Sequence, residues 1–197
     1  MCISAFIKQV AMLYLASKSP RRQLLLSKIT SNFRILNTDI EEIPKANETP
    51  HEYIVRVARD KAYAARKLIN DNELVIAADT EVILNGSILG KPADTSAAVS
   101  ILEKLSNTTH EVITVVVILG DELYQVINTN RVTFRKTTNE ERLWYCDNFS
   151  PLDKAGAYGI QDAAAAFIDR FEGSYSGVMG LPLFDTRELL IKSGVPL

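Results

Sequence analysis

Leu74-Val75-Ile76-Ala77-Ala78-Asp79-Thr80 is an apolar pentapeptide followed at once by a carboxylate and a hydroxyl. Five apolar residues in a row, two of them β-branched and none alternating with a polar partner, predict a strand buried on both faces of a sheet. Asp79 and Thr80 then stand at the carboxyl end of that strand, the rim at which open α/β sheets gather their ligands. A carboxylate held there can bind a divalent cation or take a proton from water. The same residue would equally cap the next turn.

Upstream of this strand, Thr49-Pro50-His51-Glu52 is a capping box with proline at the first helical position, so a helix is expected from there to about Leu68. It carries Arg56, Arg59 and Lys61, which suit either a solvated face or a supply of cations. Phe33 to Asn37 reads as a short strand, and Glu41 and Glu42 behind it are either a second source of carboxylate or an acidic surface turn. Further upstream, Leu13-Tyr14-Leu15-Ala16 is strand-like and runs into Ser17-Lys18-Ser19-Pro20-Arg21-Arg22 and the apolar Leu24-Leu25-Leu26. Ser19 is a good N-cap and Pro20 a good first helical residue. A strand, a tight turn and a helix start carrying Arg21, Arg22 and Lys18 is suited to hold phosphate, since fork-shaped guanidinium groups match phosphoryl oxygens. A basic surface turn has the same composition.

Downstream, Val82-Ile83-Leu84 and Ser87-Ile88-Leu89 flank Asn85-Gly86, a two-residue hairpin signal. Gly86 to Pro92 superficially resembles a phosphate-binding Walker A loop. It has three residues instead of four between its glycines, and Pro92 replaces the hydroxyl that such loops place on magnesium. Lys91 survives that exclusion as a compact cation beside a stiffening proline. A helix from about Ser96 to Leu105 precedes two long strands, Glu111 to Leu119 and Leu123 to Phe134, joined by Gly120-Asp121-Glu122. Thr138-Asn139-Glu140-Glu141 opens another capped helix. His110 reads as a structural residue at a strand edge. Asp153 to Gln161 packs two glycines, an acid, a base, Tyr158 and Gln161 into nine residues. Gln161 can donate to and accept from a nucleobase edge, and Tyr158 offers a stacking face or a buried ring. Gly173 to Gly177 forms a second glycine-rich loop before a final helix through Leu183 and Leu190 that ends at Gly194. The expected fold is α/β: a mixed, twisted sheet flanked by helices, with the site in a cleft at strand ends.

The chain has 197 residues, 47% of them hydrophobic, enough for one sizeable core. Its 22 basic and 24 acidic residues leave a formal charge of -2, so no global field favours nucleic acid, and local basic clusters serve local purposes. Two cysteines without C-x-x-C spacing and two histidines, His51 and His110, argue against a disulfide framework and a structural zinc site. No apolar run approaches the roughly 18 residues of a membrane span. Met1 to Val10 lacks a basic start, and Lys8 interrupts it, so a cytoplasmic protein is expected. Residues 1–11 read as an extension before a single domain over 12–197, or translation begins at Met12.

In order along the chain, Ala-Ser-x-Ser-Pro-Arg-Arg, Ile-Glu-Glu, Asp-Lys-Ala at 60–62, Ala-Asp-Thr at 78–80, Gly-Lys-Pro at 90–92, Asp-Lys-Ala-Gly-Ala-Tyr-Gly-Ile-Gln and Gly-Leu-Pro-Leu resemble the Maf-type nucleoside triphosphate pyrophosphatases. With Thr80 after the aspartate and Tyr-Gly-Ile-Gln intact, the chain looks like the branch acting on dTTP and UTP. The resemblance implies an ITPase-like fold, a homodimer, and hydrolysis of a nucleoside triphosphate to monophosphate and pyrophosphate with a divalent cation, Mg2+ or Mn2+. It implies Asp79 as proton acceptor, Glu42 and Asp79 on the metal, and Ser19, Arg21, Arg22, Lys61 and Lys91 on the triphosphate. Arg21, Thr80 and Gln161 fall at positions linked to substrate choice. Asp162 stands where the family usually has glycine, which puts base preference in question. Alternatives in the same frame are a house-cleaning enzyme for modified nucleotides and a non-enzymatic, nucleotide-binding regulator of septum formation.

Overall fold

The computed structural model describes residues 12–197; the extension read at residues 1–11 lies outside the described residues. The buried strand centred on Val75–Ala78 is longer than its apolar run. It forms β3 (Leu74–Leu84), eleven residues that continue straight through Asp79, Thr80 and Glu81. The expected strand end at Asp79 is therefore a strand middle. The cause is pairing: β5 (Thr109–Leu119) runs antiparallel to β3 from Val75 opposite Leu119 to Ile83 opposite Glu111, and that ladder outweighs the polar interruption.

Around this pair the sheet is mixed. β1 (Leu13–Leu15) lies parallel between β2 (Phe33–Ile35) and β3, while β6 (Leu123–Phe134) and β7 (Ile168–Glu172) extend it antiparallel beyond β5. The order is β2-β1-β3-β5-β6-β7, and β4 (Ser87–Ile88) folds back on β3 through the expected Asn85-Gly86 turn. Helices cover both faces. On one, α2 (Pro50–Arg66) buries Tyr53, Ile54, Val57, Ala58, Ala62 and Ala65, a stripe at helical spacing, against Val75, Ala77, Val115 and Val117. Its capping box is formed in both directions between Thr49 and Glu52.

The other face carries two apolar clusters. Toward the β1 end, Leu25 and Leu26 of α1 (Pro20–Leu26) and Leu189 and Leu190 of α6 (Leu183–Lys192) pack on Ile76, Ala78, Val116 and Ile118. Toward the far end, α3 (Thr95–Leu105) and α4 (Asn139–Asn148) cover Val82, Val112, Val132 and Phe134. Between them runs a polar row set by register, with Thr80 opposite Thr114 and Thr114 opposite Asn128. Among the described residues no helix is long and apolar enough to cross a membrane.

Candidate active site

The sheet has a gap beside β3. The last bond from the β1 side is Ala16 N–H to Ile76 O at 2.8 Å, and pairing on that edge resumes only at Val82 O, which accepts from Leu89 N at 2.9 Å. By strand alternation the peptide groups of Ala78 and Thr80 face this gap. A strand normally sends consecutive side chains to opposite sides of a sheet. Here the missing neighbour lets both sides of β3 reach one cleft, so Asp79 and Thr80 line it together.

On the α2 side of β3, Lys61 Nζ lies 2.6 Å from Asp79 Oδ1 and 3.0 Å from Glu42 Oε1. Asp79 is only 3% exposed, and its other oxygen, Oδ2, has no hydrogen-bond partner. Glu81, two residues on and on the same face, is 8% exposed and leaves Oε2 equally unpartnered. Burial, together with the charge of Asp79, pushes Glu81 up to about 8. Glu42 goes the other way: burial raises it, but Lys61, helped by Lys91 and Arg22, outweighs burial and holds it below the ordinary carboxylate range.

On the opposite side, Arg22 donates from Nε to Gly180 O at 2.9 Å and from Nη2 to Thr80 Oγ1 at 3.0 Å. Thr114 spends its hydroxyl proton on Gly177 O at 2.8 Å, so in the 2.9 Å contact between the two threonines Thr80 is the donor. Arg22, Thr80, Thr114 and Gly177 thus form a directed chain that ties α1 to α5 (Tyr175–Val178), the short helix before α6. Burial lowers the pKa of Arg22 while Asp79 works against that shift. Arg21 donates to Asp153 Oδ2 at 2.7 Å. Burial raises Asp153, but Lys154 and Arg21 together draw it down. Ser19 caps α1 as expected. Lys91 has no ion-pair or hydrogen-bond partner among the described residues and is exposed at the cleft.

Ser19, Arg21, Arg22, Glu42, Lys61, Asp79, Thr80, Lys91 and Gln161, drawn from across the chain, all line this one cleft. Glu41, the other carboxylate weighed after the Phe33 strand, is not among its lining residues, and Lys18 is paired with Asp39 at 2.6 Å instead. Tyr158 presents no open stacking face. It is buried, bonded through its hydroxyl to His110 Nε2 at 2.8 Å and packed edge-on against Phe134. His110 is structural as expected, but it sits in the core rather than at an edge, and burial lowers it to about 4. Asp162 has an ordinary negative φ of -112°, so nothing at this position requires glycine. Its side chain accepts from Tyr145 Oη at 3.0 Å and from Ala164 N at 3.1 Å, capping a 3-10 turn over Ala163–Phe167. Glu81 and Thr114 belong to no motif in the sequence, and Asp153 stands there only as the acid of the Asp153–Gln161 loop. Extending the strand's period of two past Asp79 would have placed Glu81 beside it.

Among the described residues no three acidic, histidine or cysteine side chains stand close enough to form a protein-only metal cage. Two buried carboxylates with orphaned oxygens do fit a hard divalent cation of the kind that takes one or two carboxylates and completes its shell with phosphate and water. The cleft therefore combines an acidic floor, a ring of cations and an amide, a set suited to a polyanion carrying a polar head group.

The family model described as Maf-like protein matches residues 12–193. The chain is 47% identical over 194 residues to a protein of Bordetella avium named dTTP/UTP pyrophosphatase, covering 94% of this chain and 96% of that one. It is 43% identical over 182 residues to one of the same name from Photorhabdus laumondii, covering 91% and 93%. Among solved structures, the Ham1 protein of Staphylococcus aureus is similar with a TM-score of 0.44 and 21% identity, over 62% of this chain and 71% of that one.

Proposed function

Because this chain belongs to the Maf-like protein family, we propose that it hydrolyses dTTP and UTP to the monophosphate and pyrophosphate. The observation that carries the reading is the Lys61–Asp79 pair, which fixes one oxygen of a buried carboxylate at 2.6 Å and leaves the other unpartnered in a cleft ringed by Arg21, Arg22 and Lys91. An attacking water gives its proton to Asp79 as its oxygen bonds to the α-phosphorus. The bridging bond from the α- to the β-phosphoryl group breaks, and pyrophosphate leaves with the bonding electrons.

Lys61 holds the rotamer of Asp79 and ties Glu42 to it. Arg21, Arg22 and Lys91, with the Ser19 turn, offset the triphosphate charge, and most of the acceleration in phosphoryl transfer comes from such positioning and electrostatics. Thr80 acts on Arg22 through its hydroxyl, while Gln161 offers its amide to the base. Asp79 and Glu42 would hold Mg2+ or Mn2+, which when bound supplies charge neutralisation at the phosphoryl oxygens.

The test is pyrophosphate release from dTTP, UTP, CTP, 7-methyl-GTP and ITP with Mg2+ or Mn2+, native against Asp79→Asn. Preference for dTTP and UTP, lost in the variant, is the expected result. Turnover concentrated on ITP or 7-methyl-GTP would keep the chemistry and overturn the substrate. No release from any nucleotide would overturn the enzyme assignment.

A further inference from the structure

Glu81 occupies the cleft floor without a role in the mechanism above. Its side chain is buried, yet Oε2 meets no donor, and the same is true of Oδ2 on Asp79. The two residues stand at i and i+2 on one strand, so their side chains project from the same face, at the stretch where β3 lacks a neighbour and both line the cleft. Lys61 bonds Asp79 Oδ1 at 2.6 Å and Glu42 Oε1 at 3.0 Å, and neither of these two oxygens has a hydrogen-bond partner.

Buried polar atoms without partners are rare in folded proteins, and two on adjacent carboxylates mark a position completed by something else. A proton shared between the two would still leave one negative charge buried. A divalent cation answers both at once, and hard cations that complete their shell with phosphate and water draw only one or two carboxylates from the protein. We propose that Glu81 joins Asp79 as a direct ligand of the catalytic divalent cation. The proposal rests on the pyrophosphatase reading for the phosphate half of the shell. Glu42, which is exposed and held by Lys61 at the mouth of the site, would then hold the cation through its water shell and not directly.

The experiment measures Mn2+ binding by the loss of the free-ion electron paramagnetic resonance signal, with and without α,β-imido-UTP. It compares the native chain, Glu81→Gln and Glu81→Asp. Glu81→Gln should weaken Mn2+ binding by roughly tenfold or more, as loss of a ligand contact does, while metal-free binding of the analogue stays within about twofold. Glu81→Asp, which keeps the charge but shortens the reach, should fall between the two and covers the case in which the glutamine variant does not fold. Mn2+ bound by Glu81→Gln as tightly as by the native chain overturns the proposal, as does a native chain that binds no Mn2+ in either condition. If Mn2+ binding depends on Glu81 but the native chain releases no pyrophosphate, the site stands and the pyrophosphatase reading falls. If pyrophosphate is released but binding ignores Glu81, only this inference falls.

Discussion

Asp79 and Thr80 are neighbours in sequence that do unlike work, because a strand turns them to opposite faces and a gap in the sheet opens both faces to one space. Thr80 is a relay: it accepts from Arg22 and donates to Thr114. Thr80→Val keeps the shape and removes both bonds. It should cost about 1–2 kcal/mol in urea unfolding and lower kcat/KM for UTP by roughly tenfold to a hundredfold through misplacement of Arg22. Unchanged kcat/KM would show that Thr80 does not position the arginine. Glu81 makes a prediction about pH in the metal-free protein. Its folded form keeps a proton up to about 8, whereas the unfolded chain releases it near the ordinary glutamate value of about 4.5. The folded state therefore binds more protons in that window, and stability falls as pH rises. His110 acts in the opposite sense, but only between its unfolded value near 6.5 and about 4. Between pH 6.5 and 8 the slope belongs to Glu81, facing Asp79, Lys91, Lys61 and Glu42. Urea unfolding should lose on the order of 1–2 kcal/mol across that interval. Glu81→Gln should flatten the slope, and a variant that keeps it would contradict the assignment.

The loop bearing Gln161 depends on one buried ring. Tyr145 Oη donates to Asp162 and accepts from Gly159 N at 3.1 Å, while its ring stacks on Phe149. Tyr145→Phe retains the stacking, orphans the Gly159 N–H and leaves Asp162 with Ala164 N alone, so a loss of about 1–3 kcal/mol is expected by urea denaturation, together with poorer discrimination of UTP from CTP. A loss below 0.5 kcal/mol on the order of the error would show that the bonds are not structural. Elements of this kind separate what was legible from what was not. Caps and tight turns are local chemistry: Ser19, Thr49 with Glu52, Thr138 with Glu141, and Asn85-Gly86 all act where their residue types indicate. β3 reads short in sequence because Asp79-Thr80-Glu81 resembles a strand end, and only the distant β5 reveals that it continues. β7 gives no strand signal in sequence, because Ile168–Glu172 is short, partly exposed and without a clear alternation of burial. The sequence leaves the Tyr158 ring open or buried, because nothing near it announces its partners His110 and Phe134.

At the scale of the whole molecule, one sheet changes character at β3, parallel toward β1 and antiparallel from β5 onward, and the cleft lies where the parallel part stops. Motifs scattered from Ser19 to Gln161 converge there because α1, α2, the hairpin after β3 and the loop after α4 all border the same gap. Seven of the nine candidate residues are readable as types and spacings, Glu42 and Lys61 are separated from their neighbours only by the family resemblance, and the gap that unites all nine depends on strand ends that are fixed only by tertiary pairing. The central claim is that this convergence directs water to the α-phosphorus of a nucleoside triphosphate with Asp79 taking the proton. The most direct measurement is hydrolysis of UTP in 18O-enriched water, with the products read by mass spectrometry. The account predicts one 18O in UMP and none in pyrophosphate, and no labelled UMP from Asp79→Asn. Label in pyrophosphate or in orthophosphate would place the attack at another phosphorus and contradict it.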